Sequence, residues 1–339
     1  MNICFIGNSV SAQREGYRGI LQRLIVEQLS SDATFVNCSL GGIGSLGVSF
    51  FIDRFIRNKQ IDICFVETFV ADLKGATPTT YISSALRGIM LHPSLQKAII
   101  IPLLLYRSDV DDDAYANMIK LYEEAYGRYF KASIDVFSVV RELVKEQHTN
   151  AREVVYDEIH TTAYGAELYA EYIFSRMHSI AVESKEPYQW LSDVSAIVPS
   201  KSVDFLPRIV SDEYVSGLFR LSLPYAEIER GNHIDVVTEC GACLGLIVVA
   251  DSDTGVIELM SDSFLHTAQL YDAWCTQQRL QVVIFPRPIK QHRMLRITAS
   301  SDSFALHGAN TSPQNAMQQC KNIKVVGLME FDANRFRHD

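Results

Sequence analysis

Two stretches, far apart in the chain, carry residue types that together could do acyl chemistry. Gly7-Asn8-Ser9 follows an apolar run at the start, and Asp157-Glu158-Ile159-His160 precedes a helical pattern near the middle. A nucleophilic serine needs a base to take its proton and a third group to orient that base. In a tight turn, an Asp three residues before a His can reach back to the imidazole Nδ1. Nε2 is then free to face a serine, and a neutral imidazole accepts a proton near pH 7. The spacing nominates Ser9, His160 and Asp157. Taken alone, a serine at a strand-to-helix corner is as readily a helix cap, and a single His before a helix is more often structural. The pair is more specific than either member.

Other stretches compete for attention. Gly42-Ile-Gly44-Ser-Leu-Gly47 satisfies G-x-G-x-x-G, and Asp62 lies 20 residues after Gly42. In dinucleotide sites such glycines let a pyrophosphate rest on helix-start amides. That fingerprint belongs on the first strand-to-helix turn of its unit, whereas this one follows the second strand. Cys240-Gly-Ala-Cys243 is a lone CxxC. It has no second pair to complete a zinc site and lies among β-like segments, not at the helix start a redox pair prefers. With Cys4, Cys38, Cys64, Cys275 and Cys320 the count is seven, which reads as free thiols. No metal and no cofactor is expected.

The elements that must position these residues can be read from periodicity. Asn2–Ile6, Thr34–Ser39, Ile61–Val66, Lys97–Leu103 and Ser133–Phe137 are short and apolar, as strands buried on both faces are. Between them, Tyr17, Ile20, Leu21, Leu24, Ile25 and Leu29 share a helical face. Phe51, Phe55 and Ile56 mark a second helix. Met118, Leu121, Tyr122 and Ala125 mark a third, with Asp111–Asp113 at its positive end. A last helix is expected over Ala163–Ile180. This alternation predicts a parallel sheet with helices on both faces, whose functional groups gather past the carboxyl ends of the strands. Ser9, Gly41–Ser45, Glu67–Asp72, Tyr106 and Arg107 all lie there.

Beyond about residue 200 the pattern changes to β-like runs separated by turns: 218–223, 233–238, 244–249, 255–259, 280–285, 294–298 and 323–331. The expected organisation is an α/β domain over 1–183, a linker over 184–200 and an all-β sandwich or jelly roll over 201–339. Tyr271, Trp274 and Arg279 suit a sugar platform, although a Trp in a sandwich is more often core.

Composition narrows the classes. Hydrophobic residues make up 47% and charged residues 21%, with a net charge of -9. A packed core is feasible, and nothing basic suggests nucleic acid. No apolar run approaches the roughly 20 residues of a membrane helix. The first strand begins at the N-terminus, so the expectation is a cytoplasmic chain without a signal peptide.

The motifs and their order resemble the SGNH (GDSL-like) hydrolase family over about residues 1–180. Gly7-Asn8-Ser9 resembles its first block, usually Gly-Asp-Ser. Asn37-Cys-Ser-Leu-Gly41-Gly42 resembles the second, and Asp157-x-x-His160 the last. The resemblance implies a three-layer flavodoxin-like sheet. It also implies a Ser9–His160–Asp157 triad and an oxyanion hole built from the amides of Ser9 and Gly42. The implied substrate is an acylated carbohydrate or small ester, the acyl group being acetyl by preference. Asn8, Thr68, Tyr106 and Arg107 are the candidate substrate contacts. One block departs. Where the family usually has Gly-x-Asn-Asp, this chain has Phe69-Val-Ala71-Asp72. Ala71 stands in the place of an oxyanion-binding asparagine and cannot donate a hydrogen bond. Three outcomes stay open: an esterase, a sugar O-acyltransferase using the same triad, and a catalytically weak glycan-binding or scaffold protein.

Overall fold

The five apolar runs of the first half pair side by side in one parallel sheet of order β2-β1-β3-β4-β5. The structure, a computed structural model, describes residues 1–73, 75, 77–183, 196–199, 210–216, 219–239, 241–250, 254–270, 279–300, 304–305, 317–318 and 322–331. The strands are β1 (Asn2–Gly7), β2 (Thr34–Ser39), β3 (Ile63–Glu67), β4 (Ile99–Leu104) and β5 (Ile134–Asp135). The helices between them are α1 (Ser9–Ala12), α2 (Tyr17–Gln28), α3 (Ser45–Ile56), α4 (Phe69–Asp72), α5 (Thr79–Met90) and α6 (Asp112–Tyr126). After β5 come α7 (Val136–Lys145), α8 (Ala151–Val154) and α9 (Ala163–Glu183). Helices α3, α5 and α6 pack together, as do α2, α7 and α9. These two sets form the outer layers.

The chain moves from β1 to the edge strand β2, then crosses back to β3 on the other side of β1. The strand order therefore reverses between β1 and β3, and crevices at such reversals are where open α/β sheets bind ligands. Register puts the end of β1 beside both neighbours, with Gly7 opposite Ser39 and Glu67. Ser9, Gly42 and Ala71 all follow within a few residues of these strand ends.

Two local readings need correction. The expected strand over 133–137 pairs only at Ile134 and Asp135, and Val136 already begins α7. Apolar Val136, Phe137 and Val140 fall at helical spacing and are buried, and Asp135 caps the helix by accepting the Ser138 amide at 2.9 Å. Part of the expected linker is packed structure. The Ile197 amide donates to the Ser84 carbonyl at 2.9 Å on α5, and the Ile197 side chain is buried. Residues 184–195 lie outside the described residues.

The chain divides into two compact units, Met1–Val198 and Pro199–Asp339. The second holds antiparallel strands, as its period-2 patterning predicts. They are β6 (Val210–Ser216), β7 (Phe219–Ile228), β8 (His233–Val237), β9 (Ala242–Ala250), β10 (Val256–Ser261), β11 (Leu265–Gln269), β12 (Arg279–Lys290), β13 (Met294–Ala299), β14 (Phe304–Ala305), β15 (Met317–Gln318) and β16 (Ile323–Phe331). One sheet has order β11-β10-β13-β8 and the other β12-β9-β16-β7-β6. Leu259, Leu295 and Ile297 of the first and Leu246, Val248 and Val325 of the second share one apolar core, which makes the unit a sandwich. Cys240, Tyr271, Trp274, Cys275 and Cys320 lie outside the described residues.

Candidate active site

The Ser9 corner begins with a glycine that nothing larger can replace in place. A side chain on Gly7 would meet the Ser11 hydroxyl at 2.7 Å. Asn8 then turns the chain into α1, its Oδ1 accepting the Val10 amide at 3.0 Å. Beneath this turn lies Glu67, wholly buried at the end of β3. Asn8 Nδ2 donates to it at 3.1 Å and Ser11 Oγ at 3.0 Å, and Ser11 also pairs with the Tyr17 hydroxyl at 2.6 Å. Burial pushes the Glu67 carboxyl up to about 8, with the hydrogen bonds from Ser11 and Asn8 opposing the rise. Ser9 itself is half-buried at the first position of α1.

The second part of the site is a tight turn between α8 and α9. The Asp157 carboxylate holds it closed. Oδ1 accepts the amides of Ile159 at 2.8 Å and His160 at 2.7 Å, and Oδ2 lies 2.6 Å from His160 Nδ1. Partial burial works to raise this carboxyl. The contacts from His160 and Ile159 outweigh it and hold the group down at about 2. The three-residue spacing thus closes a turn in which Nδ1 is occupied and Nε2 is not.

One side chain links the two parts. Gln13, at the end of α1, donates from Nε2 to the Thr161 carbonyl at 2.7 Å, and its Oε1 accepts the Thr161 amide at 3.1 Å. The residue after His160 is therefore clamped to the helix that begins with Ser9. From the other side, the Ser108 amide donates to the Glu158 carbonyl at 2.9 Å. Ser9 Oγ itself makes no hydrogen bond to His160. Such contacts are commonly long in free enzymes and tighten when substrate binds.

The expected oxyanion amides are both unengaged among the described residues: neither Ser9 N–H nor Gly42 N–H donates within the chain. Gly42 is exposed and has φ 84°, a left-handed conformation that favours glycine. The Leu40 amide donates to the Gly7 carbonyl at 2.9 Å, which holds this loop beside the Ser9 corner. Ala71 sits in α4 between Val70 and Asp72, and its own amide donates to the Thr68 carbonyl at 3.2 Å. Asp72 is buried and accepts the Ser45 amide at 3.0 Å and the Tyr122 hydroxyl at 2.6 Å. Burial lifts its carboxyl to about 6 against those hydrogen bonds.

The candidate substrate contacts divide by burial. Asn8, Thr68 and Tyr106 are buried. Asn8 is spent on Glu67 and Val10, and the Thr68 hydroxyl on Tyr122 at 2.8 Å. Tyr106 packs on Phe137. Arg107 spans from the end of β4 to α4, donating to the Val70 carbonyl at 2.9 Å and to Asp109 at 2.7 Å. Burial lowers its pKa, and the carboxylates of Glu158 and Asp157 oppose the fall. Asp62 lies at the start of β3, its carboxylate accepting the Asn2 amide at 2.7 Å. It is therefore at the opposite end of the sheet from Gly42, which removes the dinucleotide reading. Among the described residues no cluster of His, Cys, Asp or Glu could hold a metal, and no helix is long and apolar enough to cross a membrane. Sequence reasoning missed Gln13 and Tyr156. Tyr156 stacks on the His160 ring with centroids 5.8 Å apart.

No protein-family model matches the chain, and no curated protein matches its sequence significantly. Solved structures do match its fold. A two-domain esterase active on acetylated mannans aligns with TM-score 0.67 at 14% identity, covering 97% of this chain and 91% of that one. The same esterase co-crystallised with mannopentaose aligns with TM-score 0.69, also at 14% identity, with the same coverage. The chain shares the two-domain fold of that protein. The parallel sheet that the resemblance implied and the β-sandwich that the strand pattern predicted are both observed. An acetylxylan esterase from Geobacillus stearothermophilus also aligns, at TM-score 0.45 and 14% identity, over 52% of this chain and 93% of that one.

Proposed function

We propose that the chain is a serine esterase that removes acyl groups, acetyl foremost, from a carbohydrate. The observation that carries this reading is the Asp157–His160 turn, clamped through Gln13 to the helix of Ser9. Ser9 Oγ attacks the ester carbonyl while His160 Nε2 takes its proton. Asp157, ionised at every working pH, fixes the imidazole tautomer and stabilises the imidazolium. The amides of Ser9 and Gly42 receive the developing oxyanion. The leaving sugar oxygen takes the proton back from His160, and water then releases the acyl group from Ser9. Losing one oxyanion donor typically costs about 10²–10³ in rate, so Ala71 predicts modest turnover. The carbohydrate part of the reading draws on the esterase with the same fold, which acts on acetylated mannans.

Acetate release from partially acetylated manno-oligosaccharides and from p-nitrophenyl acetate tests the reading. Ser9→Ala and His160→Ala should each lower turnover by at least about a thousandfold. Unchanged turnover by pure, folded Ser9→Ala protein would remove the nucleophile from this account.

A further inference from the structure

Most aromatic side chains among the described residues are buried. Among the described residues, the two aromatics that expose half of their surface or more are Tyr156 (58%) and Tyr164 (50%), and they flank His160 in the chain. Single exposed apolar groups are ordinary on a protein surface. Tyr156 differs because its position is fixed. Its ring lies against the His160 imidazole with the planes 15° from parallel. Its amide donates to the His160 carbonyl at 3.0 Å, and the Tyr156 carbonyl accepts from Arg152 Nη1 at 2.9 Å. Val155 and Thr161 close the same turn as an antiparallel bridge. The ring centroids are 5.8 Å apart, and at 58% exposure more than half of the tyrosine surface is open to solvent.

We propose that Tyr156 is the stacking platform for the sugar ring that bears the ester. This rests on the carbohydrate-esterase reading above. In that reaction the leaving sugar oxygen must sit against His160 Nε2 to receive its proton. The pyranose ring attached to that oxygen therefore lies beside the imidazole, and Tyr156 is the open aromatic surface there. A pyranose presents an apolar face of axial C–H groups, which packs flat on an aromatic ring. A tyrosine held by its backbone offers that area at little entropic cost.

The test compares wild type, Tyr156→Ala and Tyr156→Phe on partially acetylated manno- and xylo-oligosaccharides and on p-nitrophenyl acetate, whose leaving group is not a sugar. The platform predicts that Tyr156→Ala lowers kcat/KM on the oligosaccharides about tenfold more than on p-nitrophenyl acetate, chiefly through KM. Tyr156→Phe should keep the wild-type ratio between the two substrate types. Equal losses on both types would overturn the platform and leave the ring as a support for His160, and no loss on either would overturn it outright. Wild-type protein that cleaves p-nitrophenyl acetate but neither oligosaccharide would also overturn it. Wild-type protein that cleaves none of them would instead defeat the esterase reading on which it rests.

Discussion

The two halves of the candidate site are held in place by opposite means. The Ser9 corner rests on the core: Asn8 and Ser11 lean on Glu67, a wholly buried carboxyl with no cation among its hydrogen-bond partners. The His160 turn lies near the surface and is organised by its own residues, with one ionised carboxylate satisfying two amides and an imidazole. A buried neutral group fixes shape at little electrostatic cost, which suits a serine that must only be aimed. A partly solvated charged group stabilises a charge as it forms, which suits the proposed role of His160 as base. Gln13 joins the two, so that a shift of one half carries the other.

Breaking the charged half should have the largest effect. Asp157→Asn keeps a cap for the turn but loses the charge, and kcat should fall by about 10³–10⁴ with KM little changed. In the wild type the Asp157 carboxyl is lower in the fold than its ordinary value of 3.8. Its contribution to stability is therefore full above about pH 4 and is lost as pH falls toward 2. Acid unfolding curves of wild type and Asp157→Asn should converge in that window.

Removing the link should cost less. Gln13→Ala frees Thr161 from α1 while leaving Ser9, Asp157 and His160 intact. A drop in kcat of about tenfold, with KM unchanged, is the expected result. A purely structural role would instead lower the melting temperature and leave kcat per folded molecule alone.

The smallest effect should come from the neutral half. Glu67 has a folded pKa of about 8 against an ordinary value of 4.5. A carboxyl raised in this way supports the fold fully below its unfolded value, and that support is lost as pH rises through the folded one. Glu67→Gln, which mimics the neutral form, should flatten the decline of stability between about pH 5 and 8 and change kcat little at pH 6. Thermal melts across that range would show whether the slope goes. An unchanged slope would mean that Glu67 is ionised in the fold.

Much of this arrangement was legible in the sequence, for physical reasons that also explain the omissions. Buried parallel strands must be short and apolar, so β1 to β4 stand out, and period-2 alternation marks most of the sandwich strands. An Asp three residues before a His leaves few geometries in a turn, so their contact can be read from spacing. The strand assigned at 133–137 failed because Val136, Phe137 and Val140 satisfy a helix once Asp135 caps it. Thr68 and Tyr106 were nominated because both lie just past strand ends. Position past a strand does not reveal which way a side chain turns, and both turn inward. Gln13 was invisible because its partner lies 148 residues away, and a polar side chain on a short helix carries no signal of what it will hold. The stack of Tyr156 on His160 depends on the bridge between Val155 and Thr161, which no local pattern announces.

The central claim is that Ser9 is a nucleophile activated by His160. Labelling by a fluorophosphonate, which reacts covalently with activated serines, tests it most directly, with the adduct located by peptide mass spectrometry. The account predicts one adduct per chain on Ser9, absent in Ser9→Ala and strongly slowed in His160→Ala. An adduct on another serine, or a wild type that stays unlabelled while folded, would contradict it.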